Sequence, residues 1–343
     1  MKGRLVAFDK IGGRKAAALV EDGVLQDLLL DSTDGPLPGA IYRAICDRPM
    51  KGQGGMMLRL PSGSGYLRQG KGLRPGQAML VQVTGRAEDG KAVPVTARVL
   101  FKSRYAIVTP GAPGINVSRQ IKDDEARVRL LEIAHEVMDG FDAGLILRSV
   151  AENAPDDEVA GDIEAMRDLA MAVADDAAGT KPALLIDGPD AHLLGWRDWP
   201  EPEQIDDTQG AFARHGVDEM IATLLTAHSP VSGGAFAFIE QTRALVAVDV
   251  NTGGDTSQAA GLKANIAVAR DLPRQLRCRG LGGQIVIDFA PMPKKDRHQL
   301  EQVLRAAFRK DTIETALAGW TPLGHFELQR KRERLPLPRD LDI

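Results

Sequence analysis

Apolar positions along the chain follow two rhythms. RLVAFD (4–9) and AAALV (16–20) are short apolar runs that predict strands opening an α/β unit. The cluster Ser32-Thr33-Asp34-Gly35-Pro36 breaks that unit. From Ala40 to Val108, brief apolar stretches are separated by Gly-rich turns: AIYRAI (40–45), GMMLRL (55–60), AMLVQV (78–83), VPVTARVLF (93–101) and YAIVT (105–109). Five closely spaced short strands predict a small barrel of the OB type.

The period changes at Asp123–Val137, where Val128, Leu131, Ala134 and Val137 recur at helical spacing. GLILR (144–148) predicts a strand. Residues 160–174 predict a helix with Ile163, Met166, Leu169 and Val173 on one face. PALLID (182–187) predicts a strand, the Pro- and acid-rich stretch 198–212 a loop, and 218–227 a helix. AFAFIEQTRALVAVDV (235–250) splits at Gln241-Thr242-Arg243 into a hairpin. Residues 258–277 predict a helix with apolar Leu262, Ile266, Ala269 and Leu276 and a basic set, Lys263, Arg270, Arg274 and Arg277, on a neighbouring face. Pro273 is expected to kink or break it. QIVIDF (284–289) predicts a strand and 296–309 a helix, and GHFELQRKRER (324–334) ends in a basic run.

Charge sharpens this picture. The net charge of −4 over 343 residues hides a strong polarity. Residues 35–105 hold 12 Lys/Arg against 3 Asp/Glu, residues 151–220 hold 4 against 18, and residues 270–343 hold 15 against 10. A basic barrel is the footprint of a polyanion binder, or else a solvated face. The acidic stretch is expected to face solvent. No apolar run reaches the ~18 residues of a membrane-spanning helix. The start, MKGRLVAFDK, lacks the apolar core of a secretory signal. The two cysteines, Cys46 and Cys278, exclude a disulfide scaffold and fit a reducing cytoplasm.

Candidate chemistry concentrates near the C-terminus. LVAVD (245–249) and IVID (285–288) each end an apolar run with Asp, a carboxylate that is costly to bury unless paired or metal-bound. Alternation places Asp249 and Asn251 on one face, and an adjacent strand would bring Asp288 beside them. The three offer an all-oxygen set suited to Mg²⁺ or Mn²⁺; the alternative is that each Asp caps the segment after its strand. Thr252-Gly253-Gly254-Asp255 reads as a plain turn, with Asp255 as N-cap of the helix near 258, or else as a phosphate-cradling turn. The six His show no metal-ligand spacing and no Cys-x-x-Cys exists. Tyr66, in the basic barrel, can stack a base or pack the barrel.

VDVNTGGD (248–255), followed by RQLRCRGLGGQIVIDF (274–289), resembles the catalytic signature of the ribonuclease E/G family. MKGRLVAFD, the 35–105 barrel, NVSRQI (116–121), GLILRS (144–149) and GHFELQRKR (324–332) resemble further family segments in chain order. The resemblance implies a multidomain α/β protein. An RNase-H-like subdomain (1–34 and 183–234) would carry an inserted OB-type RNA-binding barrel (35–105) and a 5′-sensor domain (106–182). A deoxyribonuclease-I-like α/β catalytic domain (235–343) would follow. It further implies a cytoplasmic, Mg²⁺-dependent endoribonuclease, with Mn²⁺ as an alternative, that cuts single-stranded RNA to 5′-phosphate and 3′-hydroxyl ends in RNA processing or decay. By the same resemblance Asp249 and Asp288 are metal ligands and Asn251 contacts the scissile phosphate. Arg148, Ser149 and the Ile107 backbone bind a 5′-monophosphate. Tyr66, Lys91, Arg119 and Arg330 contact RNA.

Some positions depart from the family pattern. Met57 stands where a second barrel aromatic is usual, Ser103 replaces a Gly beside the sensor, and Ala267 and Pro273 interrupt a usually regular helix. The region after 183 is shortened. The family's zinc-linking Cys pair is missing from the tail 324–343, so no zinc and a monomer or weak homodimer are expected. Two other readings remain: an RNA-binding or chaperone protein without turnover, and a metal-dependent deoxyribonuclease.

Overall fold

Short-range alternation organises the N-terminal strands β1 (Arg4–Ile11), β2 (Arg14–Glu21) and β3 (Val24–Leu30) into an antiparallel meander. The sequence does not announce β3, because VLQDLLL carries an acid at its centre. Asp27 is nonetheless buried, and Arg334 bonds it at 2.9 Å. The computed structural model describes residues 2–32, 35–50, 52, 54–88, 90–338 and 341. Thr33 and Asp34 of the predicted break therefore lie outside the described residues. Two units result, residues 34–201 and residues 1–33 with 202–343.

In the 34–201 unit, five strands among the described residues close into a barrel: β4 (Ile41–Met50), β5 (Gly55–Arg59), β6 (Ser64–Leu67), β7 (Ala78–Val83) and β8 (Val93–Thr96). The hydrogen-bonded order is β4-β5-β6-β8-β7, and β7 returns to β4. The membership corrects the prediction. SGYL (64–67) reads as a turn by composition, yet it pairs with β5 on one side and β8 on the other. The stretch 105–109 leaves the barrel. As β10 (Ala106–Thr109) it joins a second sheet with β9 (Phe101–Lys102), β11 (Gly114–Val117) and, after α1 (Asp124–Val137), β12 (Gly144–Leu147).

Helix α1 starts on Asp123, whose carboxylate accepts from the N–H groups of Glu125 and Ala126. Its buried stripe is Ala126, Leu130, Ala134 and Val137; the predicted Val128 is 56% exposed. A period of 3.6 allows two neighbouring registers, and the β10–β12 surface selects one. α2 (Asp156–Asp175) buries Ile163 and Val173 as predicted, with Met166 and Leu169 partly covered. β13 (Ala183–Ile186) pairs with β4, so this unit runs beyond 182, the sequence boundary. α3 (Ala191–Asp198), which was not predicted, is capped by Asp190 through the Leu193 N–H.

In the other unit, β14 (Gln204–Asp206) lies parallel to β1. α4 (Ala211–Arg214) and α5 (Val217–Leu225) bury Phe212, Val217 and Ile221 against the β1–β3 meander. A larger sheet follows: β15 (His228–Pro230), β16 (Phe236–Gln241), β17 (Val246–Asn251), β18 (Gly283–Asp288), β20 (Phe326–Arg330) and β19 (Thr315–Trp320), in that spatial order. β17 and β18 are parallel and connect through α6 (Ala260–Cys278); α7 (Arg297–Lys310) lies beside α6. One sheet face packs on these helices: Val246, Val248, Ile285, Ile287 and Leu328 meet Val268, Leu272, Leu276, Leu300 and Leu304. Each such buried aliphatic contributes about 1.5–3 kcal/mol.

Helix α6 continues through Pro273, contrary to expectation. A mid-helix Pro costs ~3 kcal/mol or more, but the buried residues on both sides, Ala269, Leu272 and Leu276, hold the turns in place. Nor does Asp255 cap this helix. Ala259 occupies the N-cap, and Asp255 accepts the Ser257 N–H at 2.8 Å within the preceding turn. Two features seat α6 beneath the end of β18. Gly261 lies against the Pro291 carbonyl, where a Cβ has no room. Buried Asn265 donates to the Ala290 carbonyl and accepts its N–H, both at 2.9 Å.

Asn265 thus satisfies two buried backbone groups of the segment just after Asp288. Asn265→Leu is expected to strand both and to destabilise the protein by about 3 kcal/mol. Equilibrium unfolding in urea checks this through a lowered midpoint at unchanged slope.

Candidate active site

The burial of one sheet face dictates what the other displays. Along β17, Val246, Val248 and Val250 turn to the helices, so Ala247, Asp249 and Asn251 turn away. Along β18, Ile285 and Ile287 are buried, and Gln284, Val286 and Asp288 lie on the open face. The parallel register sets Asp249 opposite Asp288. The three predicted residues therefore stand together. The Asn251 side-chain amide donates to an Asp249 carboxylate oxygen at 3.0 Å.

These carboxylates are not buried. Asp249 is exposed, and the Asp288 side chain is 67% exposed. Neither caps a following helix. His325 approaches Asp288, its Nε2 3.9 Å from the Asp288 Oδ1. His325 was not singled out from the sequence. It directly precedes β20, and only the antiparallel pairing of Phe326 with Ile287 brings it there. Among the described residues, no group of three His, Cys, Asp or Glu side chains is arranged to hold a metal. The donor set is two adjacent carboxylates and a carboxamide, hard oxygen ligands that fit a cation retaining several waters, as Mg²⁺ does.

Gly253, at φ +62°, brings the turn after β17 against the Gly234 carbonyl, where a Cβ would collide; this turn adjoins Asn251. Of the predicted basic set on α6, Lys263, Arg270 and Arg274 line an open cleft of ≈ 710 Å³ with Val231 and Ile266. Arg277 turns inward instead, to the Gln26 carbonyl, Asp27 and Asp311.

The other predicted RNA contacts are scattered. Arg119 is exposed. Lys91 is exposed and paired with Glu88 at 2.7 Å. Tyr66 is half-buried, and its ring lies over Gly55 with Met57 as its cross-strand partner. Arg330 differs most from expectation, because its side chain is wholly enclosed. It alternates onto the same face as Phe326 and Leu328, where it bonds Asp311 and the Thr315 hydroxyl. Burial lowers its pKa and Asp311 opposes the shift. An enclosed guanidinium of this kind ties β20 to the segment before β19 and presents nothing to a phosphate at the surface.

Ile107, Arg148 and Ser149 are near one another, since Ile107 pairs with Ile146 on β12 and Arg148 follows β12 directly. The Arg148 guanidinium is already engaged. One terminal nitrogen donates to the carbonyls of Ser103 (2.7 Å), Arg197 (2.8 Å) and Arg104 (3.0 Å), and the other meets Asp198 at 3.0 Å. Asp198 also meets Lys102 at 2.7 Å and Arg197 at 2.9 Å. Arg104 donates to the Trp196 carbonyl and stacks 4.2 Å from its ring. Arg148 and Arg104 thus cap the C-terminal carbonyls of α3. Ser103 hydrogen-bonds Asp162 at 2.6 Å, and Arg129 pairs with Asp156. The acidic stretch, expected to face solvent, thus supplies counter-charges within its own unit. No helix is long and apolar enough, among the described residues, to cross a membrane.

The profile of the Ribonuclease E/G family matches residues 101–203 and 200–333. The chain is 28% identical over 299 residues to ribonuclease G of Salmonella typhimurium, a match covering 76% of this chain and 61% of that protein. It is 28% identical over 301 residues to ribonuclease E of Nostoc sp., covering 76% of this chain and 44% of that protein. With ribonuclease G of Escherichia coli K12 the figures are 28% over 299 residues, 76% and 61%. The chain spans about three fifths of the length of these ribonuclease G relatives.

Burial acts to raise the pKa of Asp198, but the hydrogen bond and charge of Arg197, together with Lys102, outweigh it and hold the carboxyl at about 2. A depressed carboxyl contributes stability that is complete above its unfolded value and fades as pH falls through its folded one. The contribution here is about 2 kcal/mol, present above roughly pH 4 and lost toward pH 2. Wild type and Asp198→Asn, unfolded in urea at intervals from pH 6 to pH 2, are expected to show a stability gap that stays constant down to about pH 4 and then closes.

Proposed function

Because the chain belongs to the ribonuclease E/G family, we propose that it is a Mg²⁺-dependent endoribonuclease that cuts single-stranded RNA to 5′-phosphate and 3′-hydroxyl ends, in RNA processing or decay. The observation that carries this reading is the register of β17 and β18, which sets Asp249 beside Asp288 on an open face with Asn251 bonded to Asp249. In it, 35–96 acts as the RNA-capturing OB-type barrel, 1–32 with 202–225 as an RNase-H-like subdomain, and the β15–β20 sheet as a deoxyribonuclease-I-like catalytic layer.

Asp249 and Asp288 would hold Mg²⁺, which when bound polarises a phosphoryl oxygen and lowers the pKa of water. Asn251 has two jobs that its single amide can serve together. One N–H fixes the Asp249 carboxylate, and the other remains to orient the scissile phosphate. Exposure of the pair suits a polymer substrate that must arrive and leave along the surface. Lys91, Arg119 and Tyr66 would contribute capture by charge and stacking, terms that favour unpaired strands. Arg330 acts by holding β20 in register and not by touching RNA.

The decisive experiment is cleavage of a fluorogenic single-stranded RNA and its DNA counterpart, with Mg²⁺ and with chelator. Mg²⁺-dependent cutting of RNA alone is expected. Asp249→Asn and Asp288→Asn should each lower the rate by about 10³-fold or more while leaving the unfolding midpoint nearly unchanged, since each removes a ligand charge at an exposed position. RNA bound but not cut by the wild type would favour the reading as an RNA chaperone.

A 5′-monophosphate reaches Arg148 only by displacing Asp198 and the carbonyls that already occupy the guanidinium. We therefore expect RNAs bearing a 5′-monophosphate and a 5′-hydroxyl to be cut at rates within about twofold of one another, a difference below 0.5 kcal/mol. Competition of the two RNAs in one reaction measures the ratio.

A further inference from the structure

The open face of the β15–β20 sheet carries one feature that metal binding and phosphate contact leave unused. Hydrogen-bonded register runs straight across four strands: Asp288 on β18 faces Asp249 on β17, Asp249 faces Phe238 on β16, and Phe238 faces His228 on β15. Two residues along β16, on the same face, Phe236 faces Asn251. Two carboxylates and two aromatic rings therefore stand in a single row, about 4.8 Å from strand to strand.

The rings are ordered but not covered. Phe236 and Phe238 meet edge to face with centroids 5.5 Å apart, and the His228 ring lies 4.9 Å from Phe236 and 5.7 Å from Phe238. Such edge contacts fix the ring orientations. Phe238 nonetheless leaves 39% of its surface in solvent, on a face that also carries Glu240, Ala247, Asp249, Asn251, Gln284 and Val286. An ordered ring left open beside the carboxylate pair offers its π-face to a flat partner.

We propose that Phe238, steadied by His228 and Phe236, is a stacking platform for a nucleobase adjoining the scissile phosphate. The inference rests on the reading of the Asp249–Asp288 pair as the site of phosphodiester cleavage. A single-stranded substrate supplies what the row lacks, since each nucleotide joins a phosphate to a planar π-face. With the phosphate above the carboxylate pair, the neighbouring base reaches the next strand over and covers Phe238. Sheet faces with exposed aromatic residues take unpaired bases in this manner, whereas a duplex keeps its bases stacked on one another. The platform thus selects unpaired RNA at the cleavage position itself, independently of capture by the barrel.

The test compares three oligoribonucleotides with one cleavage site: an intact strand and two that are abasic at the nucleotide 5′ or 3′ of the scissile phosphate. Phe238→Ala is expected to lower kcat/KM about tenfold on the intact RNA, in the range measured for loss of one base stack. The loss should vanish on one of the abasic strands, because the variant then lacks nothing that its substrate could use. Phe238→Trp should keep or improve the wild-type rate, and Phe238→Leu, which retains apolar bulk without a π-face, should behave like Ala. An equal loss on intact and abasic RNAs, no loss at all, or a change of oligomeric state with base-independent rates would overturn the proposal. If the wild type cuts no RNA, the catalytic reading fails, and the platform is judged by Phe238→Trp fluorescence. Quenching by oligouridylate but not by an abasic oligomer upholds stacking, and equal responses to both reject it.

Discussion

The parallel pairing of β17 with β18 is the constraint on which the rest of the site depends. Two parallel strands cannot be joined by a tight turn, so the chain between Asn251 and Gly283 must cross over the sheet, and it does so as α6. That helix needs an apolar bed, which Val246, Val248, Ile285 and Ile287 provide. With those four pointing one way, alternation leaves the residues between them no choice but the open face. Asp249 and Asp288 are exposed, with half-buried Asn251 on the same face, because their neighbours are buried. Their exposure spares the carboxylates the desolvation cost of burial.

The same packing explains why α6 tolerates features that should weaken it. Pro273 removes a helical hydrogen bond, and Gly261 forfeits helix propensity. Two contacts made by this helix nevertheless support the segment just after β18: Gly261 admits the Pro291 carbonyl, and Asn265 satisfies both polar groups of Ala290. Tertiary contacts thus outweigh local preference along the segment that sets the height of Asp288.

Cations divide into two populations with different work. Lys91, Arg119 and Arg270 stay at the surface, where charge attracts a polyanion at long range. Arg148, Arg277 and Arg330 are drawn inside and matched to Asp198, Asp311 and main-chain carbonyls. An interior guanidinium is useful as a clamp because five donors in a fixed plane can tie several strands or helix ends at once. Once enclosed, as Arg330 is, it cannot meet a ligand at the surface. Counting Arg residues in a basic segment therefore overstates the surface that RNA can meet.

Much of the β15–β20 layer was legible in the chain itself. The hairpin split at 241–243, the helix over roughly 258–277, the apolar run ending at Asp288 and the shared face of Asp249 and Asn251 all follow from period and turn chemistry, which act over a few residues. Other features depended on partners distant in sequence. SGYL is a strand only because β5 and β8 flank it, and 105–109 leaves the barrel only because β12 offers a better edge. α1 turned Val128 outward because its apolar stripe was chosen by the surface beneath it. Arg330 was enclosed, Arg148 was matched to Asp198, and Phe238 came into line with Asp249 for the same reason. Local pattern determines which residue types alternate and where the chain turns. Register, burial of charge and the neighbours of a side chain are decided only when the strands pair, because those energies belong to contacts between segments and have no counterpart in any one of them.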